Sequence, residues 1–208
     1  MTDEKRPYRK KRRAELEAQT RLRITESAVE LHGTLGPSRT PMSAVAQHAG
    51  VPRSTLYRHF PDEAALFMAC SAHWAASNPP PDLSRWATIE DPGQRLRSAL
   101  DELYAYYRQT HRMLENLLRD EATVPAVAQQ FGAFRAYMTA AQETLMTRRG
   151  LRGRTRPRVQ AAIGHALAFP AWRSLTLEQG LDDDAAVGLM CSLVAAAAGQ
   201  GAASPARI

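Results

Sequence analysis

The run Arg53-Ser54-Thr55-Leu56-Tyr57-Arg58-His59-Phe60 gathers hydrogen-bonding side chains around two apolar ones. Arginine can read a guanine edge through two parallel hydrogen bonds, and Ser or Thr hydroxyls suit phosphates and base edges. Leu56 and Phe60 are four residues apart, so on a helix they share one face. Burying that face turns Ser54, Thr55 and Arg58 outward, with Tyr57 and His59 flanking them. Other groupings offer less. His111 and Glu115 have the spacing of two metal ligands but no third, and an exposed ion pair is expected instead. Glu115, Asp120 and Glu121 near Arg119 and Arg135 read as surface salt bridges. Arg148, Arg149, Arg152, Arg154, Arg156 and Arg158 could bind phosphate but read as a solvated loop. Cys70 and Cys191 have neither metal-ligand spacing nor a disulfide framework, and packed thiols are expected. The chain has no G-x-S-x-G, no H-E-x-x-H, no phosphate-binding loop and no dinucleotide glycine fingerprint. No enzymatic activity, cofactor or metal is therefore expected.

Charge points the same way as the run at 53 to 60. The chain has 208 residues and a formal net charge of +6. The first 60 residues hold 12 Lys and Arg against 6 Asp and Glu, and the rest balances at 15 of each. A localised positive excess is the footprint of a phosphate-binding module. No stretch approaches the roughly 18 consecutive apolar residues of a membrane span. The charged first residues resemble no secretory signal, so a cytoplasmic location is expected.

The elements that must position these residues all have helical periods. Residues 1 to 14 carry seven Lys or Arg and read as a flexible basic arm. Ile24, Ala28, Leu31 and Leu35 mark a helix that Gly36-Pro37 stops. Thr40 is placed to cap the next helix, with Pro41 in its first turn. That helix ends at Gly50, a residue that adopts a left-handed conformation at little cost. Val51-Pro52 then leads into the helix from Arg53, Pro61 breaks it, and Asp62 can cap the one that follows. Further helices are expected around Leu96 to Tyr107, Met113 to Leu118, 126 to 147, 157 to 179 and 182 to 199. The expectation is all-α, with about nine helices and no strand. Two short helices joined by a tight glycine turn form a helix-turn-helix, whose second helix can enter a DNA major groove.

The run from Thr40 to Phe60, with its A-G-V turn and T-L-Y-x-H-F motif, resembles the DNA-binding signature of the tetracycline-repressor (TetR) family. Ile24, Ala28, Leu31 and Gly36 match that family's first helix. The resemblance implies that Thr40, Thr55, Tyr57 and His59 touch phosphates or bases, and that Arg53, Ser54 and Arg58 choose the sequence. Two residues depart from the pattern. His32 stands where a buried aromatic is usual, and Glu63 where a phosphate-contacting Lys is usual.

The resemblance further implies three parts: the arm at 1 to 14, a helix-turn-helix domain at 15 to 62, and an effector-binding and dimerisation domain at 63 to 208. Operator DNA, a second copy docked through the last two helices, and an unidentified small-molecule effector are the implied partners. Residues 185 to 198 are almost entirely apolar, which independently calls for burial on most faces. An effector pocket is expected among Trp74, Tyr104, Tyr107, Phe131, Phe134 and Tyr137, although such residues also make ordinary core. The implied activity is sequence-specific regulation of transcription, as a repressor released by its effector. The alternative is a helical small-molecule-binding or scaffold protein whose N-terminal helices pair with protein partners.

Overall fold

The computed structural model describes residues 5–199 and contains ten α-helices, with no strand among the described residues. They are α1 (Lys5–Thr34), α2 (Met42–His48), α3 (Arg53–His59), α4 (Glu63–Ser77), α5 (Leu83–Thr88), α6 (Pro92–Asp120), α7 (Pro125–Met146), α8 (Thr155–Leu167), α9 (Phe169–Arg173) and α10 (Asp183–Gly199). A 3₁₀ turn at Pro37–Arg39 precedes α2, and a π-helical turn at Ser174–Glu178 extends α9.

The count exceeds nine because α5 has only six residues, too few to show a period. Three boundaries also differ from expectation. Helix α1 begins at Lys5, so residues 5 to 14 are its first turns and not a flexible arm. Lys, Arg, Ala, Glu and Leu are good helix formers, and composition alone does not prevent a charged segment from being helical. Residues 1 to 4 lie outside the described residues. The segments around Tyr107 and Met113 are one helix, since the polar stretch between them has neither Gly nor Pro to break it. Finally, Pro170 lacks an N–H to continue α8, and the chain restarts as α9 at Phe169.

Two units form. The first contains the described residues up to Pro79 together with Arg112–Phe131, and the second Pro80–His111 with those from Gly132 onward. In the first, α1 packs on α2 and α4, and α2 on α3. Its buried residues include Ile24, Ala28, Val45, Ala46, Ala49, Leu56, Phe60, Leu66 and Phe67. The last turns of α6 grip the end of α1. Asn116 donates to the carbonyls of His32 (3.0 Å) and Gly33 (2.9 Å), and Arg119 to that of Leu35 (2.8 Å). Asp120, expected in a surface pair, is buried instead. Its carboxylate accepts from the Ser38 N–H and from Arg119. Gly36 sits at φ +94°, and a Cβ there would lie 2.0 Å from Arg119 Nη2. Only glycine allows this approach.

In the second unit α8 packs on α10 and α9. Arg95 is almost fully buried without a carboxylate partner among the described residues. It donates to the carbonyls of Ile89 and Glu90 and to Thr147 at the end of α7. A cation suits the negative end of a helix. Asp182 caps α10 by accepting the Ala185 N–H at 2.8 Å.

His32 fills the position of the usual aromatic. Its ring lies 5.5 Å from that of Phe67, and Nδ1 lies 3.4 Å from the buried Cys70 thiol. Burial lowers its pKa to about 4, against an opposing pull from Asp120, and pushes the Cys70 thiol up to about 12. The folded state thus holds His32 neutral while the unfolded chain protonates it below its ordinary pKa of 6.5. Stability is complete above pH 6.5 and falls as the pH drops towards 4, by as much as about 3 kcal/mol. In urea titrations at pH 7 and pH 4.5, His32→Phe is expected to lose less stability than the parent chain. An equal loss in both would show that His32 is not the titrating group.

Candidate nucleic-acid interface

Leu56 and Phe60 seat α3. Both are fully buried, one turn apart, each contributing about 2 kcal/mol of apolar burial. On the other side Arg53, Ser54, Tyr57 and Arg58 are exposed, Tyr57 keeping 43 % of its surface. Thr55 and His59, also a turn apart, lie half-buried along the edge. The structure therefore moves Tyr57 onto the open face and Thr55 to the flank, the reverse of the sequence expectation.

The turn between α2 and α3 fixes where that face points. Gly50 has φ +63°, and the N–H groups of Gly50 and Val51 return to the carbonyls of Gln47 (3.1 Å) and Ala46 (3.0 Å). This double closure satisfies the last carbonyls of α2 and needs a left-handed residue at position 50.

Arg21 of α1, absent from the sequence-based site, holds the other end of α3. Its Nη1 donates to the His59 carbonyl at 2.7 Å, and its guanidinium lies 4.2 Å from the Phe60 ring centroid. Nothing in its own neighbourhood along the chain marks Arg21, since its partners lie 38 and 39 residues away. The His59 Nε2 is buried with no hydrogen-bond partner among the described residues. Burial first, then the charges of Arg58 and Arg21, lower the pKa of His59 and favour a neutral imidazole.

Thr40 behaves differently from the other candidates. It is buried, and its hydroxyl donates to the Gly36 carbonyl at 2.8 Å. The residue capping α2 is Pro41, so the expected Thr40 cap does not form. Asp62 does cap α4, accepting the Ala65 N–H at 2.8 Å, and Glu63 is exposed in the first turn. Lys10, Lys11, Arg12, Arg13, Arg23 and Arg39 of the same unit are also exposed. A short helix showing two guanidinium groups, a hydroxyl and a phenol on one face can hydrogen-bond both base edges and phosphates.

Residues 24–70 match the family model described as bacterial regulatory proteins, tetR family. The chain is similar to that family over these 47 residues, which include α2 and α3. Its fold agrees with solved structures of low sequence identity. A TetR-like transcriptional regulator from Rhodococcus sp. RHA1 is 18 % identical with a TM-score of 0.64, over 88 % of this chain and 97 % of that one. NalD, the secondary repressor of the MexAB-OprM multidrug efflux pump in Pseudomonas aeruginosa, is 20 % identical with a TM-score of 0.59, over 88 % and 97 %. A transcriptional regulator from Saccharomonospora viridis in complex with choline is 16 % identical with a TM-score of 0.57, over 86 % and 96 %. No curated protein matches the sequence.

The six aromatic pocket candidates are divided between the two units. Trp74 and Phe131 belong to the first unit and the other four to the second. Tyr104 and Tyr107 are fully buried, with ring centroids 6.3 Å apart. Their hydroxyls donate to the carbonyls of Ala166 (2.9 Å) and Leu167 (2.6 Å). Pro170 explains the pairing with Ala166, whose carbonyl has no N–H four residues on. The Ala171 N–H bonds to Ala168, which leaves Leu167 free for Tyr107. These two tyrosines thus close the break between α8 and α9. Phe134 and Tyr137 are half-buried, with centroids 6.4 Å apart, and Tyr137 donates to the Pro81 carbonyl. Among the described residues no group of three or more His, Cys, Asp or Glu could hold a metal ion, and no helix is long and apolar enough to cross a membrane.

Replacing Arg21 by Ala removes a charge-assisted hydrogen bond and a cation–π contact at an exposed site. The expected cost is about 1–2 kcal/mol in urea denaturation, with faster amide exchange at the end of α3. Unchanged exchange at Phe60 would show that Arg21 does not hold that end.

Proposed function

We propose that this regulator represses transcription as a homodimer, placing α3 of each copy in the major groove of an operator and leaving the DNA when a small-molecule effector binds. The row Arg53, Ser54, Tyr57 and Arg58 above the buried Leu56 and Phe60 carries the reading. Arg53 and Arg58 choose bases. Ser54, Thr55, Tyr57 and His59 hold the backbone and groove walls, while Thr40 braces the approach to α2 through Gly36. The choline-bound regulator makes a small organic effector a natural counterpart here, and the half-buried Phe134 and Tyr137 offer it an aromatic wall. Helix α6 supplies residues to both units, and its last turns hold the end of α1. A shift of α6 would therefore move the frame on which α3 is mounted.

For dimerisation the support is the outer face of α10. Ala186, Val187, Met190 and Val194 are buried, whereas Leu189 and Leu193, one turn apart, keep 47 % and 40 % of their surface exposed. Two exposed leucines on a helix that also packs against α8 suit a second copy of the same face.

Two substitutions test these readings. If Arg58 reads a guanine, Arg58→Ala is expected to weaken operator binding by about 1–3 kcal/mol and relax preference at a single base position. Fluorescence anisotropy against operators varied one pair at a time distinguishes this from a uniform loss, which would make Arg58 a phosphate contact. Leu193→Glu alters an exposed position, so it is expected to leave the helical content intact and split the dimer in light scattering at micromolar concentration. A dimeric Leu193→Glu chain would remove α10 from the interface.

A further inference from the structure

The segment joining α7 to α8 was read from the sequence as a solvated loop, yet it frames a cavity of about 450 Å³. Arg148, Arg149, Arg152 and Arg156 line it, with the amides of Gln142 and Gln160 and the apolar Met146 and Leu151. Glu143 is the single acid in the lining, which leaves three positive charges in excess.

The described residues leave most of that excess without an acidic partner. Arg152 and Arg156 are exposed and form no hydrogen bond or ion pair with the described residues. Arg148 lies 3.7 Å from Glu90, but both side chains are largely exposed, and such a pair holds little. The half-buried Arg149 donates only to carbonyls, those of Leu145 (2.7 Å) and Pro92 (2.9 Å). Burial first, then the nearby Arg95, lower its pKa. The first turn of α8 has no acid. Arg95 and Arg149 already occupy carbonyls at the end of α7, so the other guanidinium groups have no helix end to serve.

The geometry points to a binding site for a small polyanion in this cavity, a phosphate- or carboxylate-rich molecule held by Arg148, Arg152 and Arg156. Guanidinium groups make paired hydrogen bonds to both oxyanion types. The two glutamines add neutral amides, and Met146 and Leu151 offer an apolar patch to a carbon skeleton. The concave shape and a volume of about 450 Å³ suit a small molecule. The site lies wholly in the second unit and uses neither the aromatic candidates nor the DNA-facing helix.

The test uses the full-length chain, with pyrophosphate and citrate as probes in isothermal titration calorimetry and sodium chloride of matched ionic strength as the control. The chain is expected to bind at least one probe with a dissociation constant below 1 mM. The pair Arg152→Ala and Arg156→Ala, both at exposed positions, is expected to weaken that binding at least tenfold. Arg148→Gly, which suits the left-handed backbone at φ +57°, is expected to weaken it while preserving thermal stability. Preference for pyrophosphate would indicate a phosphorylated ligand, and preference for citrate a polycarboxylate. The inference is overturned if sodium chloride reproduces the effect or neither probe binds. It is equally overturned if binding survives the double substitution but is lost in Arg53→Ala with Arg58→Ala. A double variant that binds both probes normally yet loses affinity for DNA would reassign the arginines to a nucleic-acid contact.

Discussion

The exposed face of α3 depends on burying Leu56 and Phe60 beneath a helix of only seven residues. An isolated helix of that length does not hold together in water, because nucleation costs more than so few hydrogen bonds return. Tertiary packing must supply the difference, and it comes from those two side chains together with three fixings at the ends of α2 and α3. Gly50 closes α2, Arg21 takes the last carbonyl region of α3, and Asp62 starts α4 immediately afterwards. The orientation of Arg53, Ser54, Tyr57 and Arg58 then follows from the helical period alone.

A second set of polar contacts serves the first unit from further along the chain. Asn116, Arg119 and Asp120 bond the exposed backbone where α1 ends and the 3₁₀ turn begins. A helix terminus leaves carbonyls without intrahelical partners, and buried groups of this kind must be paired. The end of α6 supplies the donors. A Cβ at position 36 would meet the Arg119 guanidinium and the Asp120 carboxylate, and the left-handed φ there favours glycine independently. In the second unit Tyr104 and Tyr107 meet the same need at the break before Pro170.

Much of this was readable in the residues, and the parts that were not share a cause. The spacing of Leu56 and Phe60, the Gly50 turn and the Asp62 cap are local signals, and each reappears in the structure. Thr40 misled because a hydroxyl one residue before Pro41 looks like a cap, while in the fold its hydroxyl turns back to donate to the Gly36 carbonyl and Pro41 takes the N-cap position. Asp120 was misread as a surface charge because its partner, the Ser38 N–H, is 82 residues away. Tyr104 and Tyr107 are indistinguishable in sequence from pocket residues, since the carbonyls they serve lie 62 and 60 residues downstream. The arginines after α7 looked like solvated surface because a cavity exists only once α7 and α8 are both in place.

The central reading is that the exposed face of α3 binds operator DNA in pairs. It is tested most directly by capturing genomic fragments with the purified chain and titrating the enriched fragment over a range of salt. An enriched fragment with two related half-sites about one helical turn apart, or a multiple of it, is expected. The plot of log affinity against log salt should fall steeply, with a slope near −4 or beyond if two copies each neutralise at least two or three phosphates. A flat plot, or the absence of any enriched fragment, would contradict it.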